Sequence, residues 1–230
     1  MRRAAVLLLL LAFAPAARAG EGVYITIDGG YAFWQGKDAM QTKLTPQVGA
    51  ANASSLVDSK LPDGGLFALR LGYNIAGHVA FEGAFAIHPW EVLENDRGAV
   101  GFVGLGARWF PLQGLVKPNR QFDFSLNTGV DYFLMGANGV IPAGQSDPLP
   151  NSGRGLDGMA FEFGATVELY LARWVSVGIT PRLYELAPQR FFTDYNNRDS
   201  GGQTALDNNI GGGLFSLTLS LTFHFEPQPD

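Results

Sequence analysis

The 230-residue chain carries 21 acidic and 16 basic residues, which disfavours nucleic-acid binding because such binding needs a basic surface. It contains no cysteine, so disulfides, thiolate metal ligands and cysteine nucleophiles are excluded. Only 16% of the residues are charged, against about a quarter in soluble proteins, while glycine and aromatic residues are abundant. This composition is expected of a chain that faces lipid on one side.

The N-terminus has the pattern of a secretory signal peptide. Arg2 and Arg3 precede an apolar run from residue 4 to residue 14, and Ala17-Arg18-Ala19 fits a small-x-small cleavage site. We therefore predict a signal peptide over residues 1–19 and a single mature domain over residues 20–230. Removing the three arginines of the signal leaves 13 basic and 21 acidic residues, a net charge of −8. The run is shorter than the roughly 20 residues of a membrane-spanning helix, and no later segment is apolar for that length, which excludes a helical membrane protein.

Beyond the signal, apolar and polar residues alternate with a period of two, which predicts amphipathic strands. Eight such strands are predicted, at Val23–Gln35, Phe67–Asn74, Val79–His88, Val100–Phe110, Phe122–Leu134, Phe161–Leu171, Val175–Tyr184 and Leu214–Phe225. Long connections are predicted at residues 36–65, 89–98, 136–158 and 187–209, and they alternate with short ones at 75–77, 111–121 and 172–174. Because proline cannot donate to a strand ladder, Pro181 is expected to weaken the seventh strand locally.

Hairpin geometry predicts which inward residues meet. A hairpin symmetric about Ala76 would place Arg70 directly opposite Glu82. The fourth strand is rich in glycine, which makes its inward and outward faces harder to assign. We assign Arg108 to the inward face, and the outward face then carries Val103, Leu105, Ala107 and Trp109.

The hairpin between the sixth and seventh strands is predicted in the same way. Symmetry about Arg173 would set Glu162 opposite Tyr184 and leave Arg182 as a diagonal neighbour of Glu162.

Two all-β architectures fit this alternation, a soluble barrel with apolar side chains inside and a membrane barrel with them outside. The polar faces carry small residues and a few charges of both signs, but no lysine, whereas a solvated outer face would be richer in charge. We therefore predict that the polar faces line the interior of an all-β, eight-stranded, antiparallel up-and-down transmembrane barrel. The interior charges are Arg70, Glu82, Arg108, Asp123, Asp131, Glu162, Glu168 and Arg182.

Aromatic residues on the apolar faces gather at the two ends of the strands, as expected of membrane interfaces. A strand of about 12 residues, tilted near 45°, spans roughly 28 Å, close to the roughly 25 Å apolar band of outer-membrane barrels. The predicted girdles are Tyr73, Trp109, Phe122, Phe223 and Phe225 at the short-turn end, and Tyr31, Phe33, Phe85, Tyr132, Phe161 and Phe215 at the long-loop end.

Two segments carry a resemblance to a known superfamily. Leu69-Arg70-Leu71-Gly72-Tyr73-Asn74, followed by Val79-Ala80-Phe81-Glu82-Gly83, and the aromatic C-terminal strand are similar to the small bacterial outer-membrane barrels that include the OmpA membrane domain, OmpX and OmpW-type proteins. The resemblance covers residues 23–225, and the tail at 226–230 departs from it. It implies export to the outer membrane of a Gram-negative cell, lipid and lipopolysaccharide as neighbours, and Phe223 and Phe225 as the signal for the barrel assembly machinery.

The interior charges form the candidate site. Arg70, Glu82, Arg108, Asp131, Glu162, Glu168 and Arg182 are interpreted as a network that neutralises itself, with a channel gate as the alternative. No Ser/His/acid spacing resembles the lipid A enzymes of this superfamily, since the histidines are His78, His88 and His224. We expect no enzyme, no cofactor and no metal site.

Three functions remain open, in a protein expected to be a monomer. The first is a structural or surface-interaction barrel. The second is a narrow pore or a lateral conduit for small apolar solutes, as the OmpW resemblance implies. The third is an adhesin or receptor that acts through the long loops.

Overall fold

The computed structural model describes residues 22–56, 63–75, 78–92, 96–112, 122–137, 154–193, 202–207 and 210–225. The predicted signal peptide, the tail at 226–230 and parts of every long connection lie outside these residues. The described strands are β1 (Gly22–Gln35), β2 (Gly64–Ile75), β3 (Val79–Val92), β4 (Asp96–Trp109), β5 (Phe122–Ala137), β6 (Arg154–Ala172), β7 (Val175–Phe192), β8 (Gln203–Ala205) and β9 (Gly212–Phe225). The helices are α1 (Lys37–Val48) and α2 (Ala50–Leu56).

Eight of the strands form a closed antiparallel barrel. Neighbours in sequence pair from β1 to β7, β7 pairs with β9, and β9 returns to β1 to close the wall. The short β8 pairs only with the outer part of β7, so the barrel itself has eight strands. The predicted fold class is therefore confirmed.

The two faces of the wall differ as the membrane interpretation requires. Outward apolar side chains are exposed, with Leu105 at 76% and Phe81 at 60%, whereas inward Arg70 is only 2% exposed. A soluble barrel would show the opposite arrangement. The predicted orientation of β4 is also correct, since Val103, Leu105 and Trp109 are exposed while Arg108 is buried.

Neither α1 nor α2 has the length and apolar character that a membrane-spanning helix needs.

The predicted register of the β2–β3 hairpin is wrong by two residues. Arg70 lies opposite Ala84, and Glu82 lies opposite Gly72, because the last pair before the turn is Ile75 with Val79. Arg70 and Glu82 remain diagonal neighbours on the same face. The β6–β7 register is as predicted, with Glu162 opposite Tyr184 and Arg182 opposite Gly164.

Three predicted long loops begin later or end earlier than expected because the strands continue beyond the alternating region. Strands β3 and β4 stay paired as far as Val92 and Asp96, which reduces the predicted 89–98 loop to a short connection. Strands β5, β6 and β7 extend in the same way, and β8 pairs with the extension of β7. Pro89 lies beyond the pair of Phe67 with Ile87, where the pairing of β2 with β3 ends, so its missing amide hydrogen removes no bond of that ladder.

The predicted loop at residues 36–65 contains α1 and α2 instead of continuous coil. Met40, Leu44 and Val48 lie one helical turn apart and are buried, which gives α1 one apolar side.

Pro181 has the expected local effect. It pairs with Leu217 of β9, but the pairing of β7 with β6 is interrupted between Ile179 and Arg182.

Candidate functional site in the barrel interior

Two arginines hold the centre of the interior together through shared carboxylates. Arg70 contacts Asp28 at 3.2 Å and Glu162 at 2.9 Å, and Arg182 contacts the same two residues at 2.6 and 3.0 Å. All four side chains are at least 96% buried. Because an uncompensated buried charge is costly, each of these residues requires the others.

Arg108 extends the network toward the short-turn end. Its guanidinium lies 2.8 Å from Glu82 and 3.8 Å from Glu168, and Glu82 also comes within 3.7 Å of Arg70. Tyr24 donates a hydrogen bond of 2.7 Å to Glu82, and its ring lies under the Arg108 guanidinium. We call Asp28, Arg70, Glu82, Arg108, Glu162, Glu168 and Arg182 the ionic layer.

Glycines make room for these large side chains. A methyl group at Gly72 would overlap the Tyr24 ring, and one at Gly104 would overlap the Asp131 carboxylate. At Gly164 the added carbon would lie 2.9 Å from the Arg182 side chain. The interior of this eight-stranded barrel is therefore filled by side chains that cross over a glycine on the neighbouring strand.

The structure brings together six of the seven interior residues singled out from the sequence. Asp131 faces inward and is 2% exposed, but no ion pair joins it to the described residues, and its Oδ2 atom has no hydrogen-bond partner there. Sequence reasoning missed Asp28, which bridges Arg70 and Arg182. Its position on the inward face of β1, with no other charge in that strand, was the available signal.

The long-loop half of the interior is largely apolar, with His88 as a buried polar side chain next to Trp34. The inward side chains of the wall form one buried cluster there, which we call the apolar chamber: Ala32, Trp34, Leu66, Phe102, Phe133, Met135, Leu156, Leu186 and Leu214. Helices α1 and α2, which we call the helical lid, pack into this chamber with Met40, Leu44, Val48, Ala53 and Leu56. The lid therefore fills the interior on the side where the ionic layer ends.

Tyr184 forms the boundary between the two halves. Its ring stacks on Phe102 with centroids 4.6 Å apart, while its hydroxyl accepts a hydrogen bond of 3.3 Å from Arg70. One side chain thus belongs to the apolar chamber through its ring and to the ionic layer through its oxygen.

The short-turn end is closed by aromatic and polar residues. Phe110 is buried against Tyr24 and Ala80. His224 packs on Tyr170, with ring centroids 5.2 Å apart, and Ser176 lies 2.9 Å from its Nε2 atom.

Ser176, His224 and Glu168 bring together the residue types of a hydrolase, which sequence spacing did not indicate. However, Ser176 donates its hydroxyl hydrogen bond to Glu168 at 2.5 Å, and Glu168 approaches the same Nε2 atom of His224 at 3.8 Å. In a catalytic triad the acid binds the other ring nitrogen and the serine donates to the histidine. Ser176 therefore donates its proton to Glu168 and not to His224, so His224 is not placed to act as its general base.

A separate polar cluster lies on the outward face beyond the long-loop girdle. Arg190 makes a two-pronged ion pair with the buried Asp157, at 3.0 and 2.6 Å, and Tyr132 donates a hydrogen bond to the same carboxylate. The hydrogen bonds that Arg190 donates to Asp157 raise the pKa of the Arg190 guanidinium above its ordinary value. The cluster ties the extensions of β5, β6 and β7 together.

Within the described residues, no group of three or more histidine, aspartate and glutamate side chains is arranged to hold a metal ion.

Solved structures share this fold. Neisserial surface protein A matches with a TM-score of 0.54 and 11% sequence identity, over 89% of this chain and 97% of that chain. The outer membrane protein OprG from Pseudomonas aeruginosa matches with a TM-score of 0.52 and 11% identity, over 92% of this chain and all of that one. No protein-family model and no curated protein matches the chain by sequence. The chain therefore has the fold of the small eight-stranded outer-membrane barrels, as its sequence resemblance predicted.

Proposed function

We propose that the protein is an integral barrel of the bacterial outer membrane with a structural or surface-interaction role, and that it neither conducts ions nor catalyses a reaction. The exposed apolar belt and the shared fold support the location. The observation that carries the role is the ionic layer, in which three arginines and four carboxylates from opposite sides of the wall meet inside the barrel. A water-filled path for ions would have to break these buried pairs.

Planar-bilayer recording tests the absence of conduction. We expect no steady single-channel current from the purified protein, and none from a variant in which residues 37–56 are replaced by a glycine-serine linker of equal length, because the ionic layer remains. A steady current from either protein would contradict the proposal.

Ser176, His224 and Glu168 are the residues that an enzymatic alternative would use. Because the serine donates to the glutamate, we expect lipid A to have the same mass in cells with and without the protein. A shifted lipid A mass that Ser176→Ala abolishes would establish an enzyme instead.

A conduit for small apolar solutes is the second candidate, and the apolar chamber favours it. Such a solute would have to leave the barrel on the long-loop side of the ionic layer, or displace the ionic layer. Faster uptake of a small alkane by cells that express the protein, compared with cells that lack it, would favour this alternative.

The proposed surroundings are lipid and lipopolysaccharide, with the barrel as a monomer inserted by the assembly machinery. Phe223 and Phe225 end the strand that closes the wall, which supports their role as the assembly signal. We expect Phe223→Ala combined with Phe225→Ala to lower the amount of inserted protein, measured by membrane fractionation. Leu219→Ala, an exposed apolar residue of the same strand, serves as the control.

A further inference from the structure

Asp131 is a buried carboxylate that lies outside the ionic layer. It is on the inward face of β5, opposite Gly104 of β4 and Ala160 of β6, and only 2% of its surface is exposed. A methyl group added at Gly104 would overlap the Asp131 Oδ1 atom, so β4 packs closely against the carboxylate. The inward residues of β4 on either side of Gly104 are Phe102 and Gly106, neither of which carries a charge. These positions on β4 therefore enclose Asp131 without supplying a counter-charge.

The arginines of the interior already pair with other carboxylates. Arg70 lies within 3.7 Å of three carboxylates of the ionic layer, Arg108 within 3.8 Å of two, and Arg182 within 3.0 Å of two. The layer contains three arginines and four carboxylates, so an ionised Asp131 would add to an existing excess of negative charge. Among the described residues, no basic side chain lies within ion-pair distance of Asp131, and its Oδ2 atom has no hydrogen-bond partner. An isolated buried carboxylate is so unfavourable that the group normally takes up a proton instead.

The charged and titratable groups that act on Asp131 come from three other strands. Glu162 of β6 is offset by two residues from the direct partner of Asp131, which makes it a diagonal neighbour on the inward face. Arg70 of β2, and Arg182 and Tyr184 of β7, lie across the interior and are close enough to interact with Asp131 electrostatically. The two arginines attract a charge on Asp131, but both already pair with Glu162. Because like charges resist ionising side by side, the charged Glu162 favours the neutral form of Asp131.

We propose that Asp131 binds a proton in the folded barrel at neutral pH and that the loss of this proton at alkaline pH weakens the ionic layer. The inference goes beyond the proposed structural role. In the protonated form the carboxyl group is neutral and needs no counter-charge. When the proton passes to the solvent, the carboxylate repels Glu162 and attracts Arg182, whose Nη2 atom has no hydrogen-bond partner among the described residues. The ionised group therefore competes for the guanidinium that holds Asp28.

Asp131→Asn tests the protonation state, because it replaces the carboxyl group with a neutral amide of nearly the same shape. An unfolded aspartate loses its proton near about pH 4, whereas a folded barrel with Asp131 protonated keeps it at higher pH. The free energy of unfolding of the unchanged protein therefore falls as the pH rises, because the folded state binds more protons than the unfolded state. The variant lacks this loss. Its folding constant, divided by that of the unchanged protein, should rise by up to about tenfold for each pH unit.

Urea unfolding in detergent micelles measures this ratio at about pH 5 and about pH 8, both above the pH at which an unfolded aspartate ionises. We expect the ratio to be at least about tenfold larger at the higher pH. Two controls make the same chemical change elsewhere. Asp38→Asn, at an exposed position of α1, should leave the folding constant nearly unchanged at both pH values. Asp28→Asn, at a carboxylate that pairs with two arginines, should lower the folding constant at both.

Infrared spectroscopy gives an independent measurement. The unchanged protein at neutral pH should show the carbonyl stretching band of a protonated carboxyl group, and Asp131→Asn should remove that band. A ratio that stays constant or falls as the pH rises would overturn the proposal, as would a spectrum in which Asp131→Asn removes no carboxyl band. Failure of Asp131→Asn to fold would also overturn it, because the amide matches the protonated carboxyl group in shape. Stability that depends on sodium, when choline replaces it in the buffer, would overturn the proposal in favour of a bound metal cation.

Discussion

The two halves of the interior are closed in different ways. The ionic layer is made by side chains that six strands of the wall send inward, so it is part of the barrel itself. The apolar chamber is filled by a separate segment of chain, the helical lid, which enters from the long-loop end. A substitution in the ionic layer should therefore reduce the stability of the whole barrel. A substitution in the helical lid should destabilise only the lid.

The largest effect is expected for Arg70→Ala. It removes the partner of Asp28 and Glu162 and leaves carboxylates buried with less compensation, which typically costs about 3–5 kcal/mol. The unfolding temperature, followed by circular dichroism in detergent micelles, should fall. Arg173→Ala is the control, because this arginine is exposed in the turn between β6 and β7 and its loss should change the stability by about 0.5 kcal/mol or less. An unfolding temperature equal to that of the unchanged protein would remove the structural role of the ionic layer.

Leu44→Ala tests the lid. It deletes a fully buried side chain, a change that costs about 2–5 kcal/mol in a packed core, but here the loss should fall on the lid alone. Limited proteolysis should cut residues 37–56 faster, while the barrel unfolds at an unchanged temperature. Thr42→Ala, on the exposed side of α1, should leave both measurements unchanged. If Leu44→Ala lowered the unfolding temperature of the barrel, the two halves would be a single cooperative unit.

Gly104→Ala tests the close packing over glycine. The added methyl group would meet the Asp131 carboxylate and the backbone of β5, and such overpacking costs about 1–3 kcal/mol. Gly83→Ala, where the methyl group would meet open space, should be nearly neutral. Equal unfolding midpoints in urea for the two variants would show that the interior accommodates an added methyl group at Gly104.

The smallest effect is expected for Ser176→Ala at the short-turn end. The change removes hydrogen bonds with Glu168 and His224, so a loss of about 1 kcal/mol is expected. Denaturant titration in micelles measures this loss. A loss as large as that for Arg70→Ala would place the centre of the network at the short-turn end instead.

The wall and its two faces could be predicted because, in the half of the barrel that holds the ionic layer, outward apolar residues alternate with inward polar ones. The same alternation explains the register error between Arg70 and Glu82. A shift of two residues keeps every side chain on its predicted face, so alternation cannot distinguish the two registers. Only the turn decides, and here Ile75 pairs with Val79.

The lid and the strand extensions were missed because they lie where alternation ends. Beyond the girdles both faces of a strand can be polar or covered, so the period of two disappears although backbone pairing continues. In the lid, Met40, Leu44 and Val48 recur every four residues, a helical signal hidden in a segment rich in polar and small residues. The partners of Asp28 could not be read from sequence either, because they come from strands on other sides of the barrel.

The seam between β1 and β9 limits the order in which the protein can fold. It joins Val23 to Phe225 and includes a hydrogen bond between Thr26 and Thr222, 196 residues apart. Until the last strand arrives, β1 and β7 each present a free edge that can pair with another chain. Closure therefore has to be the final step, and because it pairs the two ends of the barrel sequence, its high contact order slows folding.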